Sequence, residues 1–319
     1  MKRSALRLLV CPRCAAELTL GRVAAEQGLE IVDGALDCRA CGATYPIRRG
    51  VPRFVDDGAY AASFGRQWNW FRTVQLDSHN GTDESARTLA ATTGWTADDY
   101  HGRLVLDAGV GAGRFAEIVA RDGGEVVGVD LTTAIDAAYA NIGRHPRVHL
   151  VQADIFAMPF APATFDLAYS IGVLHHTPDT AAAFRCVAAT VKKGGGLAVY
   201  LYHRYGVRWF TETLRRLTTR LPAGAMLPLA ALAIPLHYVY RIPALGTVLQ
   251  IVCPISGHPN WRWRWLDTFD WYTPRYQWKF LYPEVHRWFR AGGFHEIDIF
   301  DDPIRMRGVK TAEPTETSS

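Results

Sequence analysis

The chain has 319 residues, of which 49% are hydrophobic and 21% charged. That length and composition suit roughly two folded domains and exclude a disulfide-stapled mini-protein, a collagen-like chain and a wholly disordered polypeptide. Thirty-five Lys and Arg against 31 Asp and Glu leave a formal charge of +4, too mild to point to nucleic acid by itself.

Six cysteines are present, and four of them form two C-x-x-C pairs near the N-terminus. The opening MKRSALRLLVCPRC lacks the longer apolar core and small-residue cleavage site of a secretory signal. A reducing cytoplasm is therefore expected, and the cysteines read as metal ligands before disulfides. Cys11-Pro12-Arg13-Cys14 and Cys38-Arg39-Ala40-Cys41 are separated by 23 residues. Each pair makes a tight knuckle that aims two sulfurs at one point, and two knuckles on adjacent hairpins close a tetrahedral site with no open position. The expectation is a structural zinc held by Cys11, Cys14, Cys38 and Cys41, with Gly42 in a turn whose amides face the sulfurs. Residues 1–55 hold nine basic and five acidic side chains against 26 of each in the rest; four thiolates with one zinc would add about −2 and roughly halve that excess, so the segment predicts no basic patch of its own. Cys186 and Cys253 lie far from the cluster and are expected to pack in the fold.

Residues 56–100 are mixed: FGRQWNWF carries large apolar side chains, and Thr82 to Ala97 reads as helical, with Asp83 or Thr82 as N-cap. From Arg103 to Tyr202 short apolar runs alternate with helical stretches. LVLDAG, EVVGVDL, VHLVQAD, FDLAYSIGV and GLAVYLY read as strands. GRFAEIVARDG, TAIDAAYANIG and DTAAAFRCVAATVKKGG read as helices, with Gly123, Gly143 and Gly194 at their C-caps. Alternation at this spacing implies parallel strand–helix–strand units and a doubly wound α/β sheet.

Residues 206–262 break that rhythm. Arg220, Arg241 and Arg262 bracket two stretches of twenty residues without formal charge. Three prolines in each argue against a spanning helix. A helical insertion over 206–265 remains, either buried, capping a greasy substrate, or touching a membrane peripherally through 221–261. The aromatic LDTFDWYTPRYQWKFLYP follows. PEVHRWFRAGGF then reads as a helix ending at Gly292 and Gly293, HEIDIF and IRMRGVK as closing strands, and 311–319 as a disordered tail.

The first of these strands runs into Asp107-Ala108-Gly109-Val110-Gly111-Ala112-Gly113, and a helix opens after it. Glycines there let the backbone pass close to a bound nucleoside, where a β-carbon would clash. Dinucleotide-binding loops carry G-x-G-x-x-G, but Arg114 stands at that final glycine and the spacing is G-x-G-x-G. The loop resembles the S-adenosylmethionine motif of class I methyltransferases. The resemblance spans residues 103–202 and the last two strands, and implies a seven-stranded Rossmann-like sheet with a reversed final strand. It also implies donor contacts from Asp107, Gly109, Gly111 and Gly113. Asp130 would accept hydrogen bonds from both ribose hydroxyls, and Asp154 would take the adenine amino hydrogens. Leu131 and Ile155 would pack on the adenine faces. Ser170 lies on the fourth strand, whose following loop borders the methionine portion in that family, and it completes the set.

Phe64-Gly65-Arg66-Gln67-Trp68 resembles a lead-in of bacterial methyltransferases of the ribbon-fused type, which would lay Gln67 and Trp68 over the donor; a helix packed on the sheet edge is the other reading. The N-terminal LLVCPRCAAEL and LDCRACGATYPIRRGVPRFV, with Tyr45-Pro46-Ile47 and Gly50-Val51-Pro52, resemble the small zinc-ribbon family whose eukaryotic member activates tRNA and rRNA methyltransferases. That implies an activator carried in cis. The expected division is a zinc ribbon over 1–55, lead-in helices over 56–100, and a methyltransferase domain over 101–310.

Methyl transfer to a hydroxyl needs an in-line acceptor and, in most cases, a base. His175 and His176, after the fourth strand, come first, and a packing role stays open for both. His203 is second, and Asp267, Asp270, Tyr202 and Tyr272 are further choices. Trp271, Tyr272, Tyr276 and Trp278 either wall an acceptor pocket or belong to the core. The insertion points to a small or lipophilic acceptor, methylated on oxygen in glycan, lipid or natural-product tailoring. The rivals are an RNA methyltransferase that grips with its ribbon, which the balanced charge argues against, and a catalytically silent donor-binding scaffold.

Overall fold

The structure is a computed structural model and describes residues 1–55, 62–204, 209–301 and 304–311. The chain forms two units, one of Met1–His203 with Trp278–Ser319 and one of Arg204–Gln277.

In the first unit the N-terminal residues make a four-stranded antiparallel sheet: β1 (Thr19–Gln27), β2 (Glu30–Asp37), β3 (Thr44–Arg48) and β4 (Val51–Pro52), in that order. Alternation along β3 turns Tyr45 and Ile47 inward, and a register shift in the β1–β2 pairing between Ile31 and Asp33 lets both Ile31 and Leu36 of β2 be buried despite their odd spacing. Helices α1 (Ala62–Trp70), α2 (Asp77–Asn80), α3 (Glu84–Thr93) and α4 (Ala97–Tyr100) follow. The helix read from Thr82 to Ala97 is interrupted at Gly94, whose φ of +63° ends α3. Asp83 holds the N-cap position, but its carboxylate pairs with Arg87. The amides of Ser85 and Ala86 are capped instead by Asp77, from the preceding helix. A cap supplied from eight residues away carries no local sequence signal.

The large sheet comprises β5 (Leu104–Ala108), β6 (Glu125–Asp130), β7 (Val148–Gln152), β8 (Phe165–Ile171), β9 (Val191–Leu201), β10 (Phe294–Phe300) and β11 (Ile304–Lys310). Its order is β10-β11-β9-β8-β5-β6-β7. The strands from β5 to β9 pair in parallel, whereas β11 runs antiparallel to both β9 and β10. Helices α5 (Arg114–Arg121), α6 (Ala134–Ile142) and α7 (Thr180–Thr190) connect the parallel strands. The chain steps from β5 to β6 and β7 in one direction, then to β8 and β9 in the other. The switch point therefore lies at the carboxyl end of β5, where open α/β sheets place their ligands. Gly123 follows α5 with φ +95° and Gly143 is the C-cap of α6, both as expected, although Gly143 stays in the right-handed region; Gly194 instead lies within β9. The helical run read through Val191 stops at Thr190 because Val191 is fully buried and pairs with Phe165.

The N-terminal sheet is joined to the large one. Arg53 bridges in parallel to Gln152 at the end of β7, and the Phe54 amide donates to the Gln152 carbonyl at 2.8 Å. One apolar core runs from Leu9, Leu36 and Ile47 to Val127, Val151 and Ala153.

The second unit holds α8 (Trp209–Thr218), α9 (Ala223–Ala231), α10 (Ala233–Val239), α11 (Leu245–Val252) and α12 (Trp261–Tyr272). Its core is Met226, Ala230, Phe269 and Tyr272, with Leu214, Cys253, Trp265 and Trp271 packed around them. The first part of the aromatic run, Leu266–Tyr272, belongs instead to the last helix of this unit, capped by the Asn260 side chain, and residues 273–281 follow it outside any helix. Among the described residues no helix is long and apolar enough to cross a membrane. The first unit resumes with α13 (Tyr282–Ala291). Thr311, read as the start of the tail, is held by its amide to the Gly293 carbonyl at 2.7 Å; residues 312–319 lie outside the described residues.

Candidate functional site

The loop after β5 is tied down by its own amides. Gly109 and Val110 both donate to the Val129 carbonyl, at 2.8 and 2.9 Å, which sets the loop against the end of β6. Gly109, Gly111 and Gly113 take φ of +101°, +53° and +95°. A β-carbon on Gly109 would lie 2.3 Å from the Val173 side chain, and one on Gly113 would lie 2.6 Å from Ile142. Both glycines are therefore required by conformation and by space. At Gly111 a β-carbon would come nearest the Trp68 indole, at 3.5 Å. The result is a notch floored by main chain with an indole beside it.

Asp130 closes one side of that notch. Its Oδ2 accepts from the Gly111 amide at 3.0 Å, and its Oδ1 accepts from the Thr132 amide and hydroxyl at 2.8 and 2.7 Å. Burial raises its pKa above the ordinary carboxylate value. Three accepted bonds fix the carboxylate in place and leave about one of its four lone-pair sites, on Oδ2, for a ligand. Asp107 is 2% exposed and accepts from the Tyr169 hydroxyl at 3.0 Å; burial pushes it up to about 7. Asp154 caps the short turn Ile155–Ala157 by accepting from the Phe156 amide at 3.0 Å. Leu131 is half-buried and Ile155 buried. The Ser170 hydroxyl donates to the Ala108 carbonyl at 2.7 Å and is fully buried, so it stitches β8 to β5.

Helix α1 is seated by Gly65, where a β-carbon would lie 2.1 Å from Thr133, and by Asn69, whose amide donates to the Thr133 carbonyl at 3.1 Å. This seating brings Trp68 to the loop and buries Gln67 to 1% exposure. Of the lead-in motif, the side chains of Phe64 and Arg66 lie outside the described residues.

Four residues that local pattern missed, Arg53, Asp136, Gln152 and Lys2, bind the N-terminal sheet to this site. The Arg53 guanidinium donates to Asp136 on α6 at 2.6 Å and to Gln152 Oε1 at 2.7 Å. Gln152 in turn donates to the Leu131 carbonyl at 3.1 Å. At the other end of α6 the Lys2 ammonium donates to the Gly143 carbonyl at 2.5 Å and the Val148 carbonyl at 2.8 Å. The N-terminal sheet thus grips both ends of the helix that follows Asp130. Both ends carry a charge of the sign that the helix dipole favours.

The loop after β8 gathers the histidines. His175 is fully buried, its ring stacked on Tyr202 with centroids 3.9 Å apart, and burial lowers its pKa well below the usual imidazole value. Neither of its ring nitrogens has a hydrogen-bond partner among the described residues. His176, 4.2 Å from it ring to ring, is half-buried. Trp278 straps this loop, its amide donating to the His175 carbonyl at 2.9 Å and its indole to the Thr177 carbonyl at 3.0 Å. His203 stands just beyond β9, its ring 5.6 Å from Tyr282. Asp267, Asp270 and Tyr272 lie on α12 in the second unit, where the Tyr272 hydroxyl donates to the Pro254 carbonyl at 2.8 Å.

The four N-terminal cysteines converge. Cys11 and Cys41 sulfurs are 3.6 Å apart, Cys14 and Cys38 are 3.5 Å apart, and all four lie within 4.8 Å of one another. A tetrahedron with metal–sulfur bonds of about 2.3 Å has edges of about 3.8 Å, so the donor set fits a zinc ion. The knuckles repeat each other: the Ala15 amide donates to the Cys11 carbonyl and the Gly42 amide to the Cys38 carbonyl, with φ +59° at Ala15 and +73° at Gly42. Cys186 packs against the main core and Cys253 against that of the second unit.

Residues 106–199 match the methyltransferase domain family, and residues 2–50 match the Trm112p-like protein family. The chain carries a methyltransferase domain behind a Trm112p-like one. The methyltransferase segment is similar to a demethylmenaquinone methyltransferase of Corynebacterium kroppenstedtii, 38% identical over 102 residues, which are 32% of this chain and 43% of that protein. It is also similar to a ubiquinone biosynthesis O-methyltransferase of Methylocella silvestris, 40% identical over 102 residues, 30% of this chain and 38% of that one. The chain thus spans less than half the length of these relatives. Among solved structures, the Haloferax volcanii complex of the Trm112 methyltransferase activator with a methyltransferase aligns over 79% of this chain and 99% of the matched one, at 13% identity and a TM-score of 0.47.

Proposed function

We propose that the chain is an S-adenosylmethionine-dependent methyltransferase that acts on a small or lipophilic acceptor, on oxygen, in glycan, lipid or natural-product tailoring. The observation that carries this reading is the notch: three glycines at positive φ facing a fixed Asp130 carboxylate, with Trp68 beside them. Asp130 would hold the ribose hydroxyls, Leu131 and Ile155 the adenine faces, and Asp154 its amino group. Asp107 would sit nearest the donor's positive charge, and Gln67 and Trp68 would shield the notch. The bound donor supplies an electrophilic methyl group.

The chain's own share is to exclude water, align the acceptor oxygen and take its proton. His176 is assigned that proton, being partly exposed on the loop after β8, with His203 as the second choice. His175 is assigned the platform beneath Tyr202, since burial keeps its ring neutral. The cysteine cluster holds a structural zinc, and the N-terminal ribbon serves in cis by fixing α6 and the Leu131 carbonyl. Relatives named for demethylmenaquinone and ubiquinone biosynthesis support an acceptor of the lipophilic class. The chain works in the cytoplasm on this reading.

The test is a methyl-labelled donor incubated with cell extract, followed by mass analysis of the labelled product. A labelled small molecule is expected, with His176→Ala lowering kcat by about 100-fold and leaving affinity for adenosylhomocysteine unchanged. Label confined to RNA, or no turnover in any fraction, overturns the reading.

A further inference from the structure

The second unit has an inverted surface. Helix α11 contains no charged residue, yet Leu245, Val248 and Ile251 face solvent, Val248 at 56% and Ile251 at 57% exposure. Leu232 and Leu236, one turn apart, and Ile242 on the segment between α10 and α11 are also exposed, Leu232 at 52% and Ile242 at 50%. A soluble surface scatters such residues singly, whereas here they fall on consecutive short helices.

The charge of the same unit is equally uneven. Residues 204–277 hold nine arginines and three acids, a formal +6, so the rest of the chain is −2. No Asp or Glu occurs between Thr213 and Leu266. Arg216, Arg220, Arg241 and Arg262 are exposed, and so are the amphipathic rings of Tyr238 and Trp261. Exposed aliphatic side chains, arginines without acids and interfacial aromatics are together the chemistry of a helix that lies in a lipid headgroup region. The helices α9, α10 and α11 have nine, seven and eight residues, too short to span a bilayer and suited to lying on one.

We infer that residues 216–262 dock the protein peripherally on an anionic lipid bilayer. The aliphatic residues enter the acyl boundary while the arginines meet lipid phosphates. A protein partner with an acidic rim would also match the charge; the exposed aliphatic residues spread along successive short helices, in a stretch free of acids from Thr213 to Leu266, favour a lipid surface over it. This inference stands apart from the donor reading, because nothing in it uses the notch.

The experiment is flotation of the full-length protein with vesicles of phosphatidylcholine alone, or with about 30% phosphatidylglycerol, at about 0.1 M salt. Partition to the anionic vesicles at least tenfold above the neutral ones is expected, falling as salt rises. Arg216→Gln, Arg220→Gln and Arg241→Gln combined should weaken it by about a hundredfold, at about fivefold for each arginine. Val248→Asp with Ile251→Asp should weaken it at least tenfold. Both variants alter exposed side chains, so far-UV circular dichroism and the thermal midpoint should match the parent. Equal partition on neutral vesicles, partition unchanged in either variant, a dimer that Val248→Asp with Ile251→Asp abolishes while no vesicle binding occurs, or retention on RNA without vesicle binding each overturn the inference.

Discussion

Replacing Arg53 by Ala tests whether the ribbon governs the donor site. The side chain is 9% exposed and donates to the Arg48 carbonyl at 3.3 Å and, more closely, to two groups outside the ribbon, Asp136 at 2.6 Å and Gln152 at 2.7 Å. Its loss leaves the Asp136 carboxylate, 19% exposed, without a cation, and a charge-assisted bond of this kind is worth about 1.5–3 kcal/mol. It also leaves the amide oxygen of Gln152, a residue 3% exposed, without a donor, at a further cost of about 1–2 kcal/mol. Water can reach Asp136, so the sum falls toward the lower end, about 3 kcal/mol. In a unit of this size that lowers the thermal midpoint by about 6–10 °C.

Gln152 also anchors the Leu131 carbonyl, next to Asp130, so a loosened amide should cost donor affinity as well, about five- to thirtyfold. The assays are thermal unfolding and calorimetry with adenosylhomocysteine. Arg3→Ala is the control, because Arg3 pairs with Glu26 on the exposed face of the same ribbon and should cost less than about 0.5 kcal/mol. A double-mutant cycle of Arg53→Ala with Asp136→Ala should return a coupling of about 1.5 kcal/mol or more. If Arg53→Ala behaves like Arg3→Ala, or lowers the midpoint while affinity holds, the coupling between ribbon and notch is refuted.

Asp130→Ala should weaken adenosylhomocysteine binding by about 100-fold through loss of charge-assisted contacts, and unchanged calorimetric affinity would remove Asp130 from the site. Cys38→Ser should lower bound zinc below one equivalent and destabilise the ribbon; a full equivalent by elemental analysis would count against the ligand set. Asp107, raised to about 7 by burial, binds a proton in the folded state that the unfolded chain has already released above about pH 4. Its contribution to stability therefore declines as pH rises from about 4 to 7 and is level above that. The difference between wild type and Asp107→Asn, taken from urea midpoints, should follow that slope, and a pH-independent difference would contradict it. Ala15→Gly should stabilise the ribbon by about 0.5 kcal/mol, since Ala15 takes the left-handed conformation that Gly42 takes freely in the matching knuckle; a loss of stability would show that the first knuckle is not strained.

Elements whose signal is local were legible in the chain. The strands from Leu104 to Leu201 are apolar runs, the glycine loop announces its own φ requirement, and the cysteine spacing announces convergence. What local pattern missed depends on residues far apart in sequence. Asp77 caps α3 from another helix. Arg53, Gln152 and Asp136 meet across 83 to 99 residues, and no period or motif marks them as partners. Gly194 was misread because its run VKKGG suits a helix end, and only the pairing of Val191 with Phe165 decides for strand. Of the two readings open to the aromatic residues, Tyr272 and Trp271 take the core one, packed with Phe269 in the second unit, and only contacts distant in sequence decide between them.

The turn from Asp130 to Thr133 is held from every side by segments distant in sequence. The Gly111 amide reaches Asp130 from the loop after β5, Gln152 reaches Leu131 from β7, and Asn69 reaches Thr133 from α1. Arg53 fixes the glutamine from the ribbon. A turn built in this way has little freedom once all four contacts form, and a ligand meeting it loses little to ordering. The corollary is that the ribbon and the methyltransferase segment do not divide at residue 55 as folding units. Val51 is fully buried within the same core cluster as Val126 and Leu150, and Phe54 completes the edge of β7. Removing the first 55 residues would uncover that edge and strip α6 of both its clamps. A truncation made at the family boundary should therefore lose donor binding even though every residue of the glycine loop remains.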